Sequence, residues 1–85
     1  MNKITFLTMV GCHSCEAAKE IFNEVMPDFQ DVVEVEEVDI TTPEGQELVG
    51  KYSVFASPGI IINDELFSTG GVDKAKLVEK LQILS

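Results

Sequence analysis

The run "ITFLTMV" at residues 4–10 restricts the fold more than any other part of the sequence. It is rich in β-branched and aromatic residues and carries no charge, which is typical of a strand buried on both faces. A strand of this kind needs helices on both faces of its sheet. The chain has 85 residues, and natural domains contain roughly 50 to 250. We therefore expect residues 1–85 to form a single domain.

The residues after this strand predict an amphipathic helix. Apolar side chains recur there at the i, i+3, i+4, i+7 spacing of one helix face, namely at Ala18, Ile21, Phe22, Val25, Met26 and Phe29. Pro27 cannot donate an N–H and clashes with the carbonyl of Asn23. The helix should therefore kink there or end at about Met26.

A second strand is predicted at "VVEVEEVDI", residues 32–40. Valines alternate with glutamates at the period of two that a half-buried strand shows. The alternation slips at Glu36-Glu37, as at a β-bulge, and then resumes one residue out of phase. Four acidic side chains within the run suit an edge strand, because charge discourages further strand pairing.

"TTPEGQELVG" at residues 41–50 has the signals of a short helix. Thr42 can cap its N-terminus, Pro43 suits the first helical position, and Gly50 can end it.

A hairpin and a last helix complete the chain. "GIII" at residues 59–62 is apolar throughout, and the turn residues "ND" separate it from "ELFST" at residues 65–69. Asp73 is a candidate N-cap for the last helix, whose core stripe is Leu77, Val78, Leu81 and Leu84.

The order β-α-β-α-β-β-α predicts an α/β fold. Its four-stranded mixed sheet would carry helices on both faces, a parallel first strand pair and an antiparallel hairpin.

The charge balance narrows the classes of partner. The chain has fifteen acidic residues, six lysines and no arginine, with a net charge of −9. This balance argues against nucleic acid and anionic membrane surfaces, which both attract basic side chains. It fits either simple solubility or attraction to a basic protein surface. The sequence has no apolar run long enough for a membrane span and no signal-peptide pattern, so we expect a cytoplasmic protein.

The two cysteines, Cys12 and Cys15, lie in the stretch "GCHSC". They could be part of a metal site, a structural disulfide or a redox-active dithiol. With His13 they supply at most three metal ligands, whereas structural zinc takes four. A disulfide between them closes a ring of four residues and adds little stability. A reversible dithiol is therefore the better use of this spacing.

The positions of the two sulfurs predict different roles. Cys12 lies at the start of the first helix, where unpaired N–H groups and the helix dipole stabilise a thiolate. Cys15 lies one turn deeper. We therefore assign Cys12 as the nucleophile and Cys15 as the resolving thiol. His13, as an imidazolium, would stabilise the Cys12 thiolate or shuttle a proton. The alternative interpretation is that His13 is an exposed residue of the motif with only a modest effect on the Cys12 thiol.

The sequence resembles the thioredoxin/glutaredoxin superfamily, in particular small glutaredoxin-like thioredoxins. The resemblance rests on the C-x-x-C after strand one and on "Y-x-V-x-x-x-P", formed by Tyr52, Val54 and Pro58. An apolar strand, a hairpin and glycines before the last helix follow in the same order. The resemblance covers essentially the whole chain and implies a thioredoxin-like fold.

The resemblance also implies the remaining site residues. It makes the Ser57-Pro58 bond cis and places Pro58 opposite the dithiol, where the proline helps to keep metal away from the thiols. The backbone of Ser57 would pair with the substrate chain as an added strand. Gly11, His13 and Gly71 would lie beside the substrate. No bound cofactor is implied, because the redox centre is the Cys12–Cys15 disulfide itself.

The electron donor is harder to assign. Thioredoxins carry a tryptophan before the motif and bury an acid in the sheet, and this chain has Gly11 and no acid in "ITFLTMV". "GGVD" at residues 70–73 matches a glutaredoxin motif that holds glutathione, but it is also a turn followed by the helix cap Asp73. The basic residue that typically precedes the C-x-x-C of glutaredoxins is replaced by the uncharged "TMVG" at residues 8–11.

The leading hypothesis is a monomeric enzyme that reduces protein disulfides and is recycled by a thioredoxin-reductase-type flavoenzyme. A glutathione-dependent glutaredoxin is the alternative. A metal-binding module and a non-catalytic adaptor are further hypotheses.

Overall fold

The computed structural model describes residues 2–54 and 56–85. Along the chain the elements are β1 (Asn2–Thr8), α1 (His13–Val25), β2 (Val33–Asp39), α2 (Pro43–Tyr52), β3 (Gly59–Ile62), β4 (Glu65–Thr69) and α3 (Lys74–Leu84). A 3₁₀ turn at Met26–Asp28 follows α1. This order is the predicted β-α-β-α-β-β-α. None of the helices in the described part of the chain is long and apolar enough to cross a membrane.

The sheet has the strand order β2-β1-β3-β4. β1 is parallel to β2 and antiparallel to β3, and β3 and β4 form the antiparallel hairpin. β1, which holds most of the uncharged run at residues 4–10, is therefore an interior strand, and the acidic β2 is an edge strand as predicted. The sheet is mixed, which confirms the predicted fold class.

The two faces of the sheet bury separate cores. On one face, Ile4 and Phe6 of β1 pack with the buried side chains of α1 and α3, including Phe22, Leu77 and Leu81. On the other face the buried core is Leu7, Val38, Val54 and Ile61, against which α2 packs Leu48, Val49 and Tyr52. Each buried aliphatic or aromatic side chain contributes about 1.5 to 3 kcal/mol. Helices on both faces are thus required by the apolar pattern of β1.

β2 differs from its prediction, because it contains no bulge. Its parallel register with β1 runs without a shift from Asn2↔Val33 to Thr8↔Asp39. Val33 packs in the core under α1 and α3, whereas Val38 packs in the core under α2. The apolar side chains change faces along a regular strand because positions five apart point to opposite sides. An edge strand tolerates this change because its remaining positions stay exposed or half-buried.

Two predicted boundaries were wrong. β1 ends at Thr8, and the side chains of Met9 and Val10 are 39% and 89% exposed. The residues that pair with β1 end at Asp39 in β2 and at Gly59 in β3, so the chain leaves the sheet after Thr8. α2 continues past Gly50 to Tyr52.

The predicted helix caps are present. Thr42 Oγ1 accepts the N–H of Gly45 at 3.0 Å, and Asp73 Oδ1 accepts the N–H of Lys76 at 3.1 Å. α1 ends at Val25, one residue before the 3₁₀ turn that contains Pro27. At the other end of α2, Ser53 takes the left-handed conformation that ends the helix.

Asp39, at the end of β2, provides a test of the link between β2 and α2. Its Oδ1 accepts the hydroxyl of Thr41 at 2.6 Å and the N–H of Thr41 at 2.8 Å. These bonds, the hydroxyl first, hold the pKa of Asp39 below its ordinary value of 3.8, against a smaller effect of burial. The contribution of these hydrogen bonds to the free energy of unfolding is present above the unfolded-state pKa. It is lost as the pH falls through the lowered folded-state pKa.

Thr41→Val removes the hydroxyl and keeps the N–H. We expect the pKa of Asp39 to rise toward 3.8 in an NMR titration of its carboxyl carbon. Thr69→Val, in β4, is the control and should leave this pKa unchanged. An unaltered Asp39 titration in Thr41→Val would show that the hydroxyl does not set its pKa.

Candidate active site

The turn from β1 into α1 positions the first cysteine. Cys12 is the N-cap of α1, and its N–H donates to the carbonyl of Met9 at 3.3 Å. Gly11 before it has φ +80°, a conformation that side-chain-bearing residues rarely adopt, although the space around it is open. The backbone of the turn therefore accounts for glycine at the place where thioredoxins carry tryptophan.

The sulfur atoms of Cys12 and Cys15 lie at disulfide distance, with their Cα atoms 5.2 Å apart. Cys12 is half-buried, whereas Cys15 is only 2% exposed and belongs to the core under α1. The N–H of Cys15 donates to Cys12 Sγ at 3.0 Å. A backbone donor aimed at this sulfur at a helix start is suited to stabilising a thiolate there.

The second part of the site comes from the segment before β3. The Ser57-Pro58 peptide bond is cis, as the resemblance implied, and Pro58 is buried. Ser57 Oγ lies 3.4 Å from Cys12 Sγ, although the two residues are 45 positions apart. The N–H of Gly70 donates to the carbonyls of Ala56 and Pro58, on either side of Ser57. The hairpin thus holds the Ser57-Pro58 segment against the dithiol.

A cavity of about 210 Å³ opens beside the two sulfurs, and we call it the dithiol cavity. Its walls combine the end of β1, the turn and one face of α1: Thr8, Met9, Val10, Gly11, Cys12, Cys15, Glu16 and Lys19. Sequence reasoning missed Glu16 and Lys19 as parts of this site. The available signal was their spacing, since each follows one of the cysteines by four residues on the helix.

The remaining predicted residues lie at the margins. The side chain of His13 is fully exposed, with Nδ1 4.0 Å from a carboxylate oxygen of Glu16. It therefore packs on neither sulfur. Gly71 accepts the hydroxyl of Ser68 through its carbonyl, and the carboxylate of Asp73 caps α3. The "GGVD" stretch thus provides a turn and a helix cap, and its first glycine also contacts the Pro58 carbonyl.

Within residues 2–54 and 56–85, no group of three or more His, Cys, Asp and Glu side chains is close enough to hold a metal ion.

Comparisons with known proteins agree with this geometry. Residues 3–82 match the family model described as "Thioredoxin domain". A thioredoxin of Methanocaldococcus jannaschii is 34% identical over 80 residues, which cover 94% of this chain and 92% of that protein.

Solved structures share the fold at lower identity. A thioredoxin-like protein of Clostridium perfringens has a TM-score of 0.83 at 13% identity, covering 100% of this chain and 71% of that one. Thioredoxin O2 of Arabidopsis thaliana has a TM-score of 0.75 at 22% identity, covering 99% and 75%. The chain belongs to the thioredoxin family, and its Cys12–Cys15 pair makes it a thiol–disulfide oxidoreductase.

Proposed function

We propose that this enzyme reduces disulfides in proteins, with Cys12 as the nucleophile and Cys15 as the resolving thiol. One observation carries the assignment, namely the different surroundings of the two sulfurs. Cys12 Sγ is half-buried at the start of α1 and accepts an N–H at 3.0 Å, whereas Cys15 is 2% exposed. Cys12 is therefore the more accessible of the two to a substrate disulfide.

The reaction then has two exchange steps. The Cys12 thiolate attacks one sulfur of the substrate disulfide, and the other substrate sulfur leaves as a thiolate. Cys15, once deprotonated, attacks Cys12 Sγ, so that the Cys12–Cys15 bond forms and the mixed disulfide breaks. The substrate gains two electrons and two protons, and the enzyme dithiol is oxidised.

The substrate chain would lie along Ser57 and Pro58. Ser57 Oγ is 3.4 Å from Cys12 Sγ, so a backbone paired with Ser57 would carry its disulfide to the nucleophile. Gly11, His13 and Gly71 would border this chain. The exposed side chain of Val10 offers an apolar contact for a protein substrate.

A thioredoxin-reductase-type flavoenzyme is the proposed electron donor, and glutathione is the second candidate. Glutathione is anionic, and the single lysine in the wall of the dithiol cavity is already paired with Glu37 at 3.0 Å. The Asp73 carboxylate is engaged in capping α3. The hydrogen bond from the N–H of Gly70 to the Pro58 carbonyl favours the second candidate, because it joins the glycine pair to the segment that carries Ser57.

Recycling assays test this proposal. Turnover of a model protein disulfide is measured with NADPH and a panel of thioredoxin-reductase-type flavoenzymes, and separately with NADPH, glutathione and glutathione reductase. We expect sustained turnover with a flavoenzyme and little with glutathione. Efficient turnover with glutathione alone would reverse the order of the two donors.

We further propose that residues 1–85 act as one domain, in monomeric form and in the cytoplasm, with no cofactor besides the disulfide. Stoichiometric metal in protein purified with reduced thiols would instead support the metal-binding hypothesis. Failure to react with any disulfide would support the adaptor hypothesis.

A further inference from the structure

One face of α1 carries four chemically active side chains in a row. Cys12, Cys15, Glu16 and Lys19 have the i, i+3, i+4, i+7 spacing of a helix face, and all four line the dithiol cavity. On the helix, the negative Glu16 is therefore the neighbour of Cys12 one turn along, and the positive Lys19 is the neighbour of Cys15.

Lys19 is held in place by the sheet. Its Nζ lies 3.0 Å from Glu37 Oε1, and its side chain is about half exposed, at 51%. Glu37 is the register partner of Phe6 on β1. Glu16, by contrast, is 77% exposed. Lys19 is therefore the better-fixed of the two charges, and it lines the same cavity as Cys15, four residues away on the helix.

The resolving step creates a need for such a charge. Cys15 must lose its proton before it can attack, and burial disfavours the thiolate. Among the described residues no charged side chain is buried, so no buried acid can receive this proton. The charged groups facing the site are Glu16 and Lys19 from α1, and Glu37 through Lys19. His13 is fully exposed, with its Nδ1 4.0 Å from a Glu16 carboxylate oxygen, and Thr8 from β1 and Ser57 are uncharged.

We propose that Lys19 is a positioning residue whose ammonium group stabilises the Cys15 thiolate in the resolving step. The proton of Cys15 leaves to water in the dithiol cavity. The Cys15–Cys12 bond then forms, and the substrate sulfur departs with the electron pair of the broken mixed disulfide. This inference rests on the proposed roles of the two cysteines.

Dithiobis(nitrobenzoate) separates the two steps in a single turnover. Attack by Cys12 releases a first coloured thiolate, and attack by Cys15 on the resulting mixed disulfide releases a second. We expect Lys19→Met to leave the first phase unchanged and to slow the second by about three- to tenfold at neutral pH, the effect of one nearby charge. The pH at half-maximal rate of the second phase should rise, and the difference should shrink in high salt.

Three variants separate charge from structure. Lys74→Met removes a comparable ion pair, with Glu24 of α1 at 2.8 Å, away from the cavity, and should match the wild-type protein. Lys19→Arg should restore the second phase. Glu37→Gln keeps the Lys19 charge and an oxygen that can accept its N–H, and it removes the opposing negative charge, so it should be no slower than wild type.

Two results would overturn the proposal. Equal second phases in Lys19→Met and Lys74→Met would exclude a role for the charge, and equal slowing in Lys19→Met and Glu37→Gln would make the ion pair merely structural. Failure of the proposed function is distinguishable, because a second phase that survives in Cys15→Ser, or a first phase that survives in Cys12→Ser, would contradict the cysteine roles themselves.

Discussion

Cys12→Ser is expected to lose disulfide reduction by about 10³-fold or more, a scale typical of removing a catalytic nucleophile. A serine hydroxyl is not ionised at neutral pH and cannot form a mixed disulfide. Cys15 does not replace it, because Cys15 is 2% exposed and packs in the core. The measurement is turnover of a model protein disulfide with a small dithiol as reductant, which avoids dependence on the natural electron donor.

Ala17→Ser is the matched control, since it places serine on an exposed position of the same helix. It should keep wild-type turnover. Cys15→Ser should instead accumulate a mixed disulfide on Cys12, visible as a mass adduct that the Cys12→Ser/Cys15→Ser double variant lacks. Wild-type turnover in Cys12→Ser, with an intact circular dichroism spectrum, would refute the assignment of the nucleophile.

The sequence predicted the fold well where the information is local. The uncharged run at residues 4–10, which covers most of β1, required helices on both faces, and the capping residues Thr42 and Asp73 marked the helix starts. The cysteine pair could be located from spacing alone, because a dithiol at a helix start depends on neighbouring residues. Ser57 and Pro58 required the family resemblance, since nothing local places them beside a sulfur 45 residues away.

The features that the sequence did not predict correctly depend on contacts between distant segments. Val38 changes faces because β2 keeps an unbroken register with β1, and a glutamate pair in the sequence looks the same with or without a bulge. β1 ends at Thr8 because its partners end, although the apolar run continues to Val10. The approach of Lys19 to Glu37 likewise follows from how α1 lies over β2. Helical spacing alone does not reveal that pair.

The contact between α2 and the end of β2 accounts for the second large effect that we expect. Gly45 is buried in the first turn of α2. A Cβ at this position would overlap the carbonyl oxygen of Asp39 and lie 2.7 Å from Ile40 Cα. Both are backbone atoms, so relief requires α2 to move away from the strand. Such a movement would weaken the bond from Gln46 Nε2 to the Ile40 carbonyl, now 2.6 Å.

Gly45→Ala should therefore lower the free energy of unfolding by about 2 to 4 kcal/mol, as overpacking against backbone does. Gly50→Ala is the matched control in the same helix. Nothing lies within 4 Å of a Cβ there, so alanine should raise the free energy of unfolding by about 0.5 to 1 kcal/mol through its helix propensity. Urea unfolding followed by circular dichroism measures both variants. The close packing of α2 on β2 requires opposite signs, and a Gly45→Ala protein as stable as wild type would show that this helix can shift without cost.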